Sequence, residues 1–552
     1  MCPPSLVIIY FFLGVSMEKE IAIKLVNISK RFKNIYANKN VNLTLYKGEV
    51  LSVLGENGSG KTTLMNMLAG IYQPEEGEIY VNGELASIHS PKDSFKYGIG
   101  MVHQHFKLVD VFTAYENIIL GLDRKTSKNT INEIKAIALR YGFNIDLKKK
   151  IHDMSVSEKQ TVEIIKVLYK NANVLILDEP TAVLTPQETN KLFNVIKKMR
   201  EDNKSIIIIT HKLNEVMEIS DRVTILRKGE YITTLNTNET NEKELTEYMV
   251  GKKIDLNLER LRIQATQPIL EIRDLNVLKD DGTVAIEHLD FYLRGGQILG
   301  VAGIAGCGQK EMCEAIVGLR KFKGSITHFG KSIVGFSPEK IKEIGISMSF
   351  IPEDRLGLGL APNLSITDNM LLKTYNDNKG IFVDRARGRK EAEDLIKRYN
   401  VVAPSTEVPV KNLSGGNIQK ILVGREIGTN PNVIITAYPV RGLDINSSYM
   451  IYDILNEEKA KNTAILFIGE DLDVLMTFCD KIMVLCHGKN MGIIHTKNTN
   501  KEEIGLMMTG ALDLTQVKKE EKYGIAEDSR LSEDEWKKLR EEDQKNENRE
   551  QS

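Results

Sequence analysis

The chain has 552 residues, 42% of them hydrophobic, and its 74 Lys and Arg nearly balance 75 Asp and Glu. That length predicts several globular domains, each with enough apolar material for a core. The charge balance gives no bulk electrostatic case for nucleic acid or an anionic membrane. Its five cysteines (Cys2, Cys307, Cys313, Cys479, Cys486) are odd in number and contain no C-x-x-C pair, which argues against a disulfide framework or zinc site and for a reducing, cytoplasmic compartment.

In chain order, Leu6 to Val15 is continuously apolar, but it is about half the length that spans a bilayer and no basic residue precedes it. Residues 1–16 read as an upstream extension or, alternatively, a short membrane-contacting leader. A first domain begins at Met17. The strand-like run Val50 to Leu54 leads into Gly55-Glu56-Asn57-Gly58-Ser59-Gly60-Lys61-Thr62-Thr63, which fits G-x-x-x-x-G-K-[ST], and a helix-like apolar run, Leu64 to Leu68, follows. Glycines let the backbone N–H groups of such a loop turn inward, and the helix start adds partial positive charge, so a polyphosphate meets donors already aimed at it. Lys61 is placed to reach the β- and γ-phosphates and the Thr62 hydroxyl to ligate Mg²⁺. Further on, Val174 to Leu177 is an apolar run ending in Asp178 and Glu179, and Ser205 to Thr210 is another, ending at His211.

After Gly251 a polar run separates this domain from a second copy. Gly303-Ile304-Ala305-Gly306-Cys307-Gly308 repeats the glycine loop 248 residues after Gly55, behind a strand-like run from Gln297 to Ala302. Val433 to Pro439 repeats the Asp178 region and Gly469-Glu470 repeats Thr210-His211, both 259 residues later. A period this long means two whole domains, and strands alternating with helical patterns predict α/β cores with largely parallel sheets. The expected boundaries are 17–251, a linker at 252–268, 269–510, and a charged tail at 511–552. In the tail Ser532 to Glu535 matches a capping box; the run to Arg549 reads as a mobile tail or a solvated helix.

The order of P-loop, Gln-containing loop (Gln104), serine-glycine signature, Asp-Glu-Pro strand end and following His resembles the ABC ATPase family over residues 17–510, twice. The resemblance implies two tandem P-loop NTPase domains, each with a RecA-like α/β core, an antiparallel β subdomain and a helical subdomain, that bind ATP and Mg²⁺. It assigns Phe32 to stacking on adenine, a core phenylalanine being the alternative. It assigns Gly55, Asn57, Gly58, Ser59, Gly60, Lys61, Thr62 and Thr63 to the phosphates, and Thr62, Gln104 and Asp178 to the metal. Glu179 then orients or deprotonates the attacking water and His211 contacts the γ-phosphate.

The second copy departs from this pattern. Lys61 corresponds to Gln309, Thr62 to Lys310, Asp178 to Ala437, Glu179 to Tyr438 and His211 to Glu470. It nevertheless keeps an intact signature, Ser414-Gly415-Gly416-Asn417, and Asp444 where the first copy has Thr185; the first copy has Ser155-Val156-Ser157-Glu158 at the signature. In the family, ATP is held between the P-loop of one domain and the signature of the other. The resemblance therefore implies one whole composite site and one degenerate one.

Because no segment reads as membrane-spanning, transport by this chain requires separate permeases. Tandem ATPases with a degenerate second copy resemble those of bacterial importers for simple sugars and nucleosides, and His103-Gln104-His105-Phe106 with Thr210-His211-Lys212-Leu213 favours the nucleoside branch; Ile351 to Arg355 is common to both. The expectation is a peripheral ATPase on the cytoplasmic face of the membrane, meeting two permease subunits near Gln104 and Glu353, served by an extracytoplasmic substrate-binding lipoprotein, with no nucleic acid partner. A simple-sugar importer is the alternative. A soluble ABC protein acting on ribosomes or DNA is disfavoured by the single competent site, the short linker and the absence of paired cysteines.

Overall fold

The computed structural model describes residues 19–515 apart from 34, 105, 123–127, 183, 252–259, 262–265, 305, 344–347, 353 and 376–382. The N-terminal extension, most of the linker, His105, Glu353 and the capping-box tail lie outside the described residues. The chain divides between residues 254 and 255 into two compact units, with 185–187 grouping with the second.

The first unit contains β1 (Ile21–Phe32), β2 (Ile35–Tyr46), β3 (Val50–Leu54), β4 (Glu76–Val81), β5 (Glu84–Leu85), β6 (Ile99–Val102), β7 (Val174–Asp178), β8 (Ser205–Thr210), β9 (Arg222–Arg227) and β10 (Glu230–Asn236). Their order across the sheet is β5-β4-β1-β2-β10-β9-β3-β8-β7-β6. Strands β3, β7 and β8 are buried at every position and pair in parallel, which is why they read as unbroken apolar runs. Val53, Ile176 and Ile207 pack on one face, and Val50, Leu175 and Ile206 on the other. The strands at the β1 end pair antiparallel, and a separate core of Ile118, Ile134, Val162 and Ile165 holds the helices of a third subdomain together.

The second unit contains β11 (Pro268–Leu278), β12 (Val284–Arg294), β13 (Ile298–Gly303), β14 (Phe322–His328), β15 (Lys331–Ser332), β16 (Met348–Ile351), β17 (Val433–Ala437), β18 (Ala464–Ile468), β19 (Lys481–Cys486) and β20 (Lys489–His495). The sheets run β12-β11-β14-β15 and β16-β17-β18-β13-β19-β20, matching the two ends of the first unit's sheet strand for strand. The duplication is therefore one of whole topologies. Two sequence boundaries shift: the first P-loop helix starts at Lys61 rather than Leu64, because its first turn is polar, and β13 runs one residue later than its apolar run suggests.

Candidate nucleotide site

The first glycine loop lies at the carboxyl end of β3, between β8 and β9, where parallel α/β sheets bind their ligands. Gly58 and Gly60 both take left-handed backbone, with φ of 81° and 93°. A Cβ on Gly60 would lie 2.2 Å from the Ala37 carbonyl oxygen, so no other residue fits. The helix Lys61–Leu68 has no side-chain cap, which leaves its first amides to a ligand. Ser59 Oγ is buried without a hydrogen-bond partner, and Asn57 and Gly58 are exposed at the loop tip. Lys61 is buried; its ammonium donates to the carbonyls of Gly55 (2.6 Å) and Glu56 (3.0 Å). Burial pulls its pKa down, opposed by the charges of Glu179, Asp178 and Glu56.

Asp178 ends β7 and is buried, and the Thr62 hydroxyl donates to its Oδ1 at 3.4 Å. A hydroxyl and a carboxylate side by side are hard oxygen donors, the set that Mg²⁺ takes together with phosphate and water. Glu179, next along, has a φ of 46° and its backbone N–H is held by the Ile209 carbonyl at 2.9 Å. Its carboxylate accepts from Gln104 Nε2 at 2.7 Å and sits 3.1 Å from His211 Nδ1. The His211 hydrogen bond is the largest influence on it and holds its pKa below the ordinary value despite partial burial. Glu179 is thus an ionised acceptor whose two oxygens are oriented by two different loops. Lys61, Thr62, Gln104, Asp178, Glu179 and His211, scattered over 151 residues of sequence, converge here. Thr63 follows on the same helix, half-buried.

Phe32, at the end of β1, is 44% exposed, so it is not a core residue. It meets Tyr72 edge to face, with ring centroids 5.3 Å apart. Tyr72 was not picked out by the motif pattern, and neither was the buried layer behind Glu179. There Thr181 Oγ1 donates to Glu215 at 2.7 Å, Lys212 pairs with Glu215 at 3.1 Å, and Gln160 Nε2 donates to the Pro180 carbonyl at 2.7 Å. The Thr181–Glu215 and Gln160–Pro180 bonds join elements distant in sequence, and no local spacing announces them.

The second unit repeats the loop's backbone but not its chemistry. Gly306 and Gly308 have φ of 88° and 98°, like Gly58 and Gly60. Gln309 is buried and donates its amide to the Ile304 carbonyl at 3.1 Å, a neutral copy of the bond that Lys61 makes to Glu56. Lys310 points to solvent and lies 3.8 Å from Glu314. At the position of Glu179, Tyr438 keeps a positive φ of 52°, while Glu470, in the place of His211, pairs with Arg441 at 3.0 Å. Arg320, in the place of Tyr72, bonds Asp280 and Glu314.

The signature segments differ in the same sense. Ser414 caps the helix Gly415–Ile427 and accepts from Asn417 Nδ2 at 2.9 Å. Gly415 and Gly416 form its first turn. Asp444 caps the helix Ile445–Ala460, accepting from the N–H and hydroxyl of Ser447, each at 2.8 Å. In the first unit, Glu158 folds back on the Ser155 N–H at 2.7 Å and pairs with Lys149 at 2.8 Å, so a carboxylate already covers that helix start.

A P-loop cassette, built twice, with the loop lysine, threonine and strand-end carboxylates in the first copy alone, is the class of protein this fold and site define. The ABC transporter family profile matches residues 38–182 and 286–439, and the chain belongs to that family. It is 41% identical to the nucleoside import ATP-binding protein NupA of Lactococcus lactis subsp. cremoris, over 90% of this chain and 99% of that one. It is 42% identical to the guanosine import ATP-binding protein NupO of Bacillus subtilis, over 89% and 98%. Identity to the ribose import ATP-binding protein RbsA of Clostridium tetani is 34%, over 89% and 97%.

Proposed function

We propose that this chain is the ATP-binding and ATP-hydrolysing subunit of an importer for nucleosides. The observation that carries hydrolysis is the ionised Glu179, held between Gln104 and His211 beside the P-loop; the nucleoside reading rests on the two import proteins at 41 and 42% identity. A simple-sugar importer is the second reading, favoured by the ribose relative at 34%.

In the proposed mechanism the inward amides of Gly58 to Thr63 and the Lys61 ammonium bind the phosphates, and Phe32 offers its exposed ring to the base. Thr62, Asp178 and Gln104 would hold Mg²⁺, which when bound neutralises charge on the β- and γ-phosphate oxygens. Glu179 orients a water and accepts its proton; His211 fixes the carboxylate and reaches toward the γ-phosphate. By resemblance, Ser414 to Asn417 and Asp444 act on the nucleotide of the first cassette. The cassettes are assigned to 17–251 and 269–510, joined by 252–268 and followed by the tail 511–552. Among the described residues no helix is long and apolar enough to cross a membrane. We assign the chain to the cytoplasmic face of the membrane, working with two permease subunits, which the Gln104 and Glu353 loops would meet, and an extracytoplasmic substrate-binding protein.

The test is Glu179→Gln. Hydrolysis is expected to fall by about 10²- to 10⁴-fold while ATP is retained, and uptake of labelled nucleoside by cells carrying only this variant is expected to stop. Normal turnover would overturn the assignment of Glu179. Loss of labelled ribose uptake in the variant with labelled nucleoside uptake unchanged would move the substrate to the sugar class.

A further inference from the structure

Behind the first P-loop stands a residue that neither the motif nor the mechanism uses. Asn38, on β2, is fully buried. Its Nδ2 donates to the Gly60 carbonyl at 3.2 Å, the same oxygen that receives the first helical bond from the Leu64 N–H at 2.9 Å. The approach is close: a Cβ on Gly60 would lie 2.6 Å from Asn38 Nδ2. The amide's other end, Oδ1, is buried with no hydrogen-bond partner.

An unsatisfied buried acceptor costs stability, and an aliphatic side chain would remove that cost. The second unit does this. Its Gly308 has the same conformation, and a Cβ there would lie 2.2 Å from the Ala285 carbonyl, as one on Gly60 does from that of Ala37. The next residue after Ala285 is Ile286, fully buried among Leu275, Leu289 and Met312, and it has no donor to offer. The fold therefore accepts an apolar residue at this position. The amide stands only in the cassette whose loop retains its lysine and its Mg²⁺-ligating threonine. A costly side chain kept beside a working loop and shed beside a degenerate one marks a functional constraint rather than a packing one.

We infer that Asn38 is a positioning residue for nucleotide binding. By holding the Gly60 carbonyl it fixes the peptide between Gly60 and Lys61, and with it the direction of the Lys61 N–H and the start of the helix that faces the phosphates. This rests on the reading of the first loop as the ATP site. A loop that grips phosphate equally before and during reaction affects affinity rather than the chemical step.

The experiment uses the full chain with three variants, Asn38→Ile, Asn38→Leu and Lys61→Ala, each titrated with ATP by calorimetry and melted without nucleotide. Asn38→Ile is expected to weaken ATP binding about five- to tenfold, the loss of one hydrogen bond, with a melting temperature equal to or above that of the parent. Asn38→Leu should behave alike. An affinity within twofold of the parent overturns the inference. A lowered melting temperature in both Asn38 variants, or failure of both to fold, also overturns it, since the position would then need its amide for packing. Lys61→Ala separates the two levels: if it binds ATP as the parent does, the assignment of the first loop fails and the role of Asn38 falls with it, whereas weakened binding in Lys61→Ala beside unweakened binding in Asn38→Ile overturns the role of Asn38 alone.

Discussion

At the residue scale the proposed hydrolysis turns on Glu179, and the duplication separates what the fold imposes on it from what that role would need. A positive φ in a non-glycine residue at a reacting centre invites an explanation by functional strain. Tyr438 has the same conformation at the same strand end, with the same backbone bond, to Ile468 at 2.9 Å, where there is no carboxylate to aim. The bent strand end belongs to the topology; what the proposed catalytic role adds lies in the side chain and its partners. Of those, His211 matters most for the charge. Its hydrogen bond holds the Glu179 pKa below 4.5, the ordinary value. A depressed carboxylate pKa keeps the charged form as pH falls and gives it up only as pH drops through the folded-state value. Removing the bond raises that value, so in His211→Ala the acid limb of the pH profile of kcat/KM for ATP should move to higher pH. The rate itself is expected to fall by about 10²-fold. A lower rate with an unmoved acid limb would mean that His211 acts on the phosphate alone and not through Glu179.

At the scale of elements, the two signature helices show how a helix start is opened or closed to an anion. The helix Val156–Tyr169 begins with a reciprocal capping box between Ser155 and Glu158; Gly415–Ile427 begins with a serine cap, two glycines and a neutral Asn417. A carboxylate at the third position satisfies the helix start internally and repels a phosphate. Glu158→Ala should therefore cost about 1 kcal/mol of stability, read by denaturant titration of the first unit, and leave ATP hydrolysis within twofold of the parent. A marked fall in hydrolysis would give the Ser155–Glu158 segment a part in turnover. The elements themselves were largely legible in the sequence, because strands covered on both faces are apolar throughout: Val50–Leu54, Val174–Asp178, Ser205–Thr210 and Val433–Ala437 fall where their runs lie. What supports the site was not legible. Asn38 reaches Gly60 across 22 residues, Gln160 reaches Pro180 across 20 and Thr181 reaches Glu215 across 34. Such bonds are made by tertiary packing, and a buried amide or carboxylate leaves no periodic trace in the chain.

At the scale of the whole molecule, the question is whether a repeated backbone is enough to bind nucleotide twice. The second loop keeps two left-handed glycines and a helix start at Gln309, so its backbone donors resemble those of the first. Backbone amides supply partial charges only, and a triphosphate needs more. At the position of the buried ammonium is an amide already bonded to Ile304, Ala437 takes the place of the carboxylate Asp178, and Arg441 is engaged with Glu470. At the outer end, Arg320 is tied to Asp280 and Glu314 where the first unit shows the Phe32–Tyr72 pair, so among the described residues no aromatic face stands at that place. On the proposed reading of the first site, each loss removes a different part of the ligand's recognition: charge, metal and base. On that ground the full chain carrying Glu179→Gln should retain one tightly bound ATP per chain after gel filtration, and that one should disappear when Lys61→Ala is added. Gln309→Lys should not restore a second, because the metal ligand and the aromatic face are still missing. Two retained nucleotides in the Glu179→Gln protein, one of them surviving Lys61→Ala, would show that glycine geometry and a helix start suffice, and the second cassette would then be a ligand-responsive domain in its own right.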